Sequence, residues 1–319
     1  MNYFERLGNS MSISIPADED GFTGRECPQT DCEGYFKIEF GTGLKGENLP
    51  CHCPYCNHTA GQDRFFTKAQ IKYAESIAIQ KMTDAIYKDL KKLEFNHKPK
   101  GAFGIGISME VSPFRRIPIH KYIEEELETE IVCNNCTLRY AVYGVFAFCP
   151  DCGQHNSFQI LEKNLELVEK LLSLAARAGD KDVSRMLIEN ALEDCVSAFD
   201  GFGREICRVY AEKAINSKRA EKVFFQDLQG AQKNLSTLFD IDLSDGITAQ
   251  EWEEVIRGFQ KRHLLSHKMG VIDEDYIRKT NDINAVVGRK VTLTPGEVSE
   301  VARIVGKLAK HVVAKFQAL

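Results

Sequence analysis

Apolar residues recur at three- and four-residue steps through most of the C-terminal half of the chain, a period typical of amphipathic helices. Two segments with this period begin with capping boxes, at Thr248–Glu251 and Thr294–Glu297. The pattern predicts an all-α helical bundle over residues 158–319. Its five helical segments are residues 159–179, 182–215, 224–239, 248–267 and 294–316.

The N-terminal half shows shorter periodic segments that lie between clusters of cysteine. One long helix is predicted over residues 68–93, followed by a turn at 96–101, a strand at 105–111 and a Pro-marked turn at 113–118. Residues 138–148 are rich in aromatic and β-branched side chains and are typical of a β-hairpin. The predicted fold class is therefore α+β and multidomain, with two small β ribbons followed by the helical bundle.

Eight of the 11 cysteines fall into paired spacings that suit a tetrahedral metal site. In the clearer set, two CxxC pairs are separated by twelve residues. Thiolates two residues apart on a tight turn can bind one ion, and a hairpin brings two such turns together. This set predicts a zinc ribbon whose ligands are Cys133, Cys136, Cys149 and Cys152.

A second ribbon is predicted nearer the N-terminus, where five cysteines compete for four ligand positions. The Cys-Pro-Tyr-Cys sequence at residues 53–56 has the turn-like form of a zinc knuckle. The favoured ligands are Cys27, Cys32, Cys53 and Cys56, while Cys51, His52 and His58 remain spare or alternative ligands. Together the two sets predict two structural zinc ions as the cofactors of the protein.

A disulfide framework is the alternative use of so many cysteines. The first residues show no charged-then-apolar signal peptide, and no stretch approaches the length of a transmembrane helix. We therefore expect a cytoplasmic protein that does not associate with membranes and whose thiols stay reduced. Cys195 and Cys207 lie within helical pattern and are expected to be ordinary core residues.

Length and composition agree with several folded domains, since the chain has 319 residues and a 43% hydrophobic content. We predict a first zinc ribbon with an N-terminal tail, a basic helix and strand linker, a second zinc ribbon and the helical bundle. Their boundaries are residues 1–66, 67–128, 129–157 and 158–319.

The net charge of −5 is unevenly distributed along the chain. Residues 63–121 contain 12 Lys+Arg and 6 Asp+Glu, a balance of +6, which leaves 29 against 40, or −11, for the remainder. A basic segment beside two zinc ribbons favours contact with a phosphate backbone. Six aromatic residues are candidates to stack on unpaired bases, or alternatively to fill the small ribbon cores: Tyr35, Phe36, Phe40, Tyr55, Phe65 and Phe66.

The end of the fourth helical segment, residues 262–267, places a permanent cation and titratable imidazoles together. Arginine offers a planar fork of donors to phosphate oxygens, and histidine exchanges protons near neutrality, so the two suit metal-free RNA cleavage. Arg262 and His267 are five residues apart, about 140° around a helix, so they converge only if the helix loosens near Gly270 or a second copy faces the first. Alternatively, these basic residues simply complement the C-terminus of the helix.

The spacing of Arg262 and His267 resembles the R-x4-6-H motif of HEPN domains, and the following sequence VIDEDYIRKT is similar to that of many members. The resemblance implies an all-α bundle that dimerises, joins two motifs in one cleft and often acts as a metal-independent endoribonuclease in toxin–antitoxin, anti-phage or RNA-decay systems. It implies that Arg262 holds the scissile phosphate and that His267 is the acid or base for attack by the ribose 2′-hydroxyl. His263 takes the polar position after the arginine, where the family often carries Asn.

The sequence therefore predicts an endoribonuclease with RNA as substrate, a homodimer formed through the bundle, and zinc ribbons that recognise nucleic acid or a partner. The alternative is a non-catalytic protein that binds DNA, RNA or another protein through its ribbons and uses an inactive HEPN bundle for dimerisation.

Overall fold

The computed structural model describes residues 2–8, 10–46, 49–97, 107–114, 118–120 and 122–319. The chain divides into two compact units, Met1–Gln154 and His155–Leu319. The first unit contains the small β-sheets and both groups of paired cysteines, and the second is helical. These observations confirm the predicted α+β fold class.

A four-stranded antiparallel sheet forms the centre of the first unit. Two hairpins build it, each closed by a turn that carries one cysteine pair. The hairpins join because Lys37 pairs with Ala141, and Ile38 pairs with Tyr140. The strands, in the order β1-β2-β8-β7, are β1 (Phe22–Glu26), β2 (Tyr35–Glu39), β8 (Arg139–Val142) and β7 (Thr129–Val132).

The two predicted ribbons thus share one sheet and one hydrophobic core, which includes Phe36, Ile38, Tyr140 and Val142. The prediction of a hairpin within residues 138–148 is wrong, because β8 takes its hairpin partner from β7, on the other side of the first cysteine pair. The alternation of residues 138–142 is real, but period alone does not say which neighbouring segment a strand pairs with.

Two further hairpins and one long helix complete the described part of the first unit. Thr67 caps the helix reciprocally with Gln70. The helix agrees closely with the prediction over residues 68–93, and the strand expected at 105–111 is shorter. Parts of that strand and of the two predicted turns fall on residues 98–106 and 115–117, which lie outside the described residues. These elements are β3 (Pro50–His52) with β4 (Thr59–Gly61), β5 (Phe95–His97) with β6 (Ile107–Met109), and α1 (Lys68–Lys91).

The second unit is a helical bundle in which α3 contacts α2, α6 and α8. Both predicted capping boxes are present, at Thr248 with Glu251 and at Thr294 with Glu297. Two short helices, α4 and α7, were not predicted. The helices are α2 (Ser157–Ala175), α3 (Lys181–Val209), α4 (Ser217–Ala220), α5 (Leu228–Phe239), α6 (Ala249–Lys268), α7 (Glu274–Thr280) and α8 (Pro295–Gln317).

Aromatic packing fixes α3 against α6 in the bundle core. The ring of Phe199 meets the rings of Phe225 and Phe259 edge-to-face, at centroid distances of 5.5 and 6.2 Å. Gly203 allows the close approach of Phe225, since a Cβ at this position would lie 2.3 Å from a ring carbon. Cys195 and Cys207 are fully buried in this core, as predicted.

Candidate functional site

Four thiols of the first ribbon converge at the closed ends of β1–β2 and β3–β4. The Sγ atoms of Cys27 and Cys56 are 3.7 Å apart, and so are those of Cys32 and Cys53. A tetrahedral ion with Zn–S bonds of about 2.3 Å would place neighbouring sulfurs about 3.8 Å apart. The four thiols therefore fit one tetrahedral metal ion.

The second ribbon brings together the four cysteines that its spacing singled out. The Sγ atoms of Cys133 and Cys152 are 3.7 Å apart, and those of Cys136 and Cys149 are 3.4 Å apart. Within each of the two groups, all ligand atoms lie within 4.8 Å of one another. The first unit thus contains two four-cysteine groups, each of which could hold a metal ion.

The same kind of backbone turn occurs at each four-cysteine group. Because the turn involves only a few neighbouring residues, the local sequence specifies it. The residue after the second cysteine of each pair has a positive φ: Glu33, Asn57, Thr137 and Gly153. At three of these turns, its amide donates to the carbonyl oxygen of the first cysteine of the pair. This turn holds two thiols on one side of the backbone, as a shared ion requires.

Cysteine protonation without metal depends on burial and on neighbouring thiols. Burial raises the pKa of the Cys27 thiol to about 11, and that of Cys51 to about 12. A hydrogen bond from Cys149 lowers the pKa of Cys133 to about 5. Because a metal binds the thiolate, its affinity for these groups falls as the pH falls.

The spare ligands of the first ribbon lie outside its four-thiol group. Cys51 is fully buried but is not one of the converging thiols. His52 Nδ1 lies 2.9 Å from the hydroxyl of Thr59, and His58 Nδ1 lies 2.9 Å from the side-chain nitrogen of Gln29.

In the helical unit, Arg262 is buried, with 8% of its surface exposed, and faces α3. Its Nε and Nη2 atoms donate to the two carboxylate oxygens of Glu193 at 2.7 and 2.6 Å. Nη1 donates to the amide oxygen of Gln226 at 3.2 Å, and Ser266 donates to Glu193 at 2.7 Å. Burial alone would raise the pKa of Glu193, but these hydrogen bonds outweigh it and lower the pKa. The arginine predicted to hold phosphate is therefore engaged by a carboxylate of its own chain.

His263 and His267 lie on the exposed side of the same helix, with ring centroids 4.9 Å apart. Partial burial lowers the pKa of His263, and the nearby charges of His267, Lys268 and Lys279 lower it further. The lowered pKa favours the neutral form of His263, in which one ring nitrogen accepts a proton.

α6 stays helical through Lys268, and only then does Met269 adopt the left-handed conformation that ends it. Arg262 and His267 therefore point in directions about 140° apart, and within one copy they do not meet. The positive φ of Gly270 lies beyond both residues, so the turn there does not bring them together.

No sequence motif indicates the partners of Arg262. Glu193 precedes it by 69 residues, and its charge alone does not distinguish it from other acidic residues on helix surfaces. Gln226 and Ser266 also carry no motif. Only the packing of α3 against α6 reveals this polar cluster.

The six aromatic candidates divide between core and surface. Phe36 and Phe65 are fully buried and pack together, so they fill the ribbon core. Tyr35 and Tyr55 are half-buried and join neighbouring strands. Phe40 and Phe66 are exposed, by 59% and 36%.

Comparisons of the chain with known protein families, with curated proteins and with solved structures give no match. Within the part of the chain that the structure describes, no helix combines the length and the apolar character needed to cross a membrane.

Proposed function

We propose that the protein is a metal-independent endoribonuclease of HEPN type, acting as a toxin or anti-phage effector, and that its ribbons hold two structural zinc ions. The observation that carries the nuclease proposal is the exposed pair His263 and His267, with ring centroids 4.9 Å apart. Two imidazoles side by side supply an acid and a base without a metal.

In this mechanism neutral His263 removes the proton from the ribose 2′-hydroxyl, and the oxygen attacks phosphorus. His267 donates a proton to the departing 5′-oxygen, which leaves as a hydroxyl. The products are a 2′,3′-cyclic phosphate and a 5′-hydroxyl end. Lys268 and Lys279, whose charges act on His263, are paired with Asp273 and Asp275, and the phosphate would compete with these carboxylates for the two cations.

The proposal includes a homodimer, because one copy of α6 presents Arg262 and His267 on different sides. In a two-fold pair, the phosphate would meet His267 of one copy beside Arg262 of the other. Arg262 would then give up part of its contact with Glu193 and bind the phosphate instead. The phosphate is negatively charged, as the carboxylate is, and can accept the same pair of hydrogen bonds from the guanidinium group.

Zinc is the proposed metal because four thiolates in a tetrahedron are the usual structural zinc site. When bound, the metal contributes folding free energy to ribbons whose cores are small. It takes no part in the proposed cleavage.

The test is incubation of purified wild type, His263→Ala and His267→Ala with cellular RNA, in magnesium-free buffer that contains no chelator, so that the ribbons keep their metal. We expect wild type to leave cyclic phosphate ends and each variant to lose about 10²–10⁴-fold in rate. His311→Ala is the matched control, since the ring of His311 bonds the backbone carbonyl oxygen of Asp242, in the same unit but outside the proposed site. Equal cleavage by wild type and both α6 variants would refute the proposed roles.

A second function is favoured by one observation, the burial and bidentate pairing of Arg262. An arginine whose hydrogen bonds are made within its own chain would stabilise the bundle even if the bundle had no activity. In that case the protein is a non-catalytic nucleic-acid- or protein-binding module, and wild type shows no cleavage while its zinc content and dimer are intact.

A further inference from the structure

One cluster in the first unit is not used by its metal groups or its core. The guanidinium carbon of Arg25 lies 4.9 Å from the ring centroid of Phe40 and 5.0 Å from that of Phe66. Arg25 is only 2% exposed, whereas the two rings remain open to solvent. One buried cation thus holds two exposed aromatic rings at the surface of the ribbon unit.

Arg25 is incompletely satisfied in this position. Its Nη1 atom donates to the carbonyl oxygen of Gly24 at 2.8 Å. Its Nε atom is buried and has no hydrogen-bond partner among the described residues. Glu124 is near enough to act on Arg25 electrostatically, but its oxygens accept from Gly24, Gln70 and Tyr35. Because Arg25 is buried, the part of the cluster that a ligand can reach is the exposed surface of the two rings, which the cation holds in place.

Exposed cations flank the ring of Phe66 along the chain. Arg64 and Lys68 lie two residues to either side of it, and Lys72 follows one turn later in α1. Lys68 is paired with Glu26 and Glu33, but its side chain is 73% exposed, so salt and phosphate compete readily with these pairs. Arg64 and Lys72 have no ion pair among the described residues. Exposed cations thus stand on both sides of the exposed ring of Phe66 in the sequence.

We infer that the Phe40–Arg25–Phe66 cluster binds unpaired bases of a single-stranded nucleic acid, with Arg64, Lys68 and Lys72 along its phosphate backbone. Base–aromatic stacking is tolerant of sequence, and rings already fixed by Arg25 lose little freedom on binding. The site lies in the ribbon unit and does not depend on catalysis by the helical unit. In the proposed nuclease, this site would hold the single-stranded nucleic acid in addition to the cleavage site.

The experiment measures binding of a fluorescently labelled oligo-uridine by the full-length chain with His267→Ala, so that cleavage cannot alter the result. We expect Phe40→Ala and Phe66→Ala each to weaken binding about 5- to 150-fold, the range given by loss of one stacked base. Phe40→Trp should bind as tightly as the parent, because its ring still stacks. Phe224→Ala is the matched control, since Phe224 is 46% exposed and also lies over an arginine, Arg204.

Salt dependence separates stacking from charge. Phe40→Ala should leave the slope of affinity against salt concentration unchanged, while Lys68→Ala should reduce it by about one phosphate contact. Heparin, an anion without bases, should bind the parent and Phe40→Ala equally. The inference is overturned if Phe40→Ala and Phe66→Ala, with zinc content equal to the parent, bind oligo-uridine as the Phe224→Ala control does. That result would leave the cleavage assay of the helical unit untouched.

Discussion

The hydroxyl of Tyr55 donates to the carbonyl oxygen of Tyr35 at 2.6 Å. The hydroxyl oxygen of Tyr55 in turn accepts from the amide of Tyr143 at 3.0 Å, so one side chain of the first ribbon links the ends of β2 and β8. Gly34 leaves room for the ring of Tyr55, since a Cβ at residue 34 would lie 2.3 Å from a ring carbon. The two ribbons are therefore joined by the half-buried side chain of Tyr55 as well as by strand pairing.

Tyr55→Phe should lower the free energy of unfolding of the ribbon unit by about 1–3 kcal/mol, because both backbone groups lose a partner at once. Chemical unfolding in the presence of zinc measures the change. Tyr143→Phe is the control, since the hydroxyl of this exposed tyrosine bonds the side chain of Glu125. An equal effect of the two substitutions would contradict the bridging role of Tyr55.

Cysteine substitution should separate the proposed ligands from the spare thiol. Cys53→Ser removes a member of the first four-thiol group, and the bound metal should fall from two ions per chain to one. Cys51→Ser should keep both ions, because this thiol lies outside the group. Elemental analysis of the purified variants decides the point, and loss of an ion from Cys51→Ser would assign Cys51 as a ligand.

Arg262→Ala and His267→Ala should differ in their effect on stability. Removal of Arg262 takes two charge-assisted hydrogen bonds from Glu193 and one hydrogen bond from Gln226, so the free energy of unfolding should fall by about 1.5–3 kcal/mol. His267 is exposed, and its replacement should stay within about 0.5 kcal/mol of wild type. If thermal unfolding gives that order, loss of cleavage in His267→Ala reports chemistry, whereas loss in Arg262→Ala combines chemistry with folding.

The carboxylate of Glu205 should make the helical unit sensitive to acid. Burial alone would raise its pKa, but hydrogen bonds from Arg208 and His155 outweigh burial and lower it from 4.5 to about 2. Because the ionised form is favoured in the folded state, its contribution is complete above about pH 4.5 and is lost as the pH falls towards 2.

Glu205→Gln should therefore be less stable than wild type by about 1.5–3 kcal/mol at pH 7, and the difference should shrink as the pH falls below 4.5. Denaturant unfolding at several pH values measures this convergence. Glu189→Gln, on the same helix with only a long contact to Arg185, is the control. A difference between wild type and Glu205→Gln that stays constant to pH 3 would contradict the linkage.

The parts of the fold that could be predicted are those set by neighbouring residues. The four-cysteine groups follow from knuckle turns of a few residues, and the capped helices α6 and α8 follow from period and capping box. The joining of the two ribbons into one sheet could not be predicted. Lys37 and Ala141 pair although they are 104 residues apart, and the strand pattern of each hairpin is the same whether or not the other hairpin lies beside it. The Arg262–Glu193 pair is hidden for the same reason, since many acidic residues of similar character precede Arg262.

The pairing of β2 with β8 also sets an order of events during synthesis. When the ribosome has released the first hairpin, the open edge of β2 has no neighbour until Arg139–Val142 emerges about a hundred residues later. Until then, the nascent chain exposes unpaired amide and carbonyl groups, the feature that leads strands of different molecules to associate. The first ribbon therefore depends for its protection in the cell on a segment that is translated after α1, and premature termination before β8 leaves an aggregation-prone product.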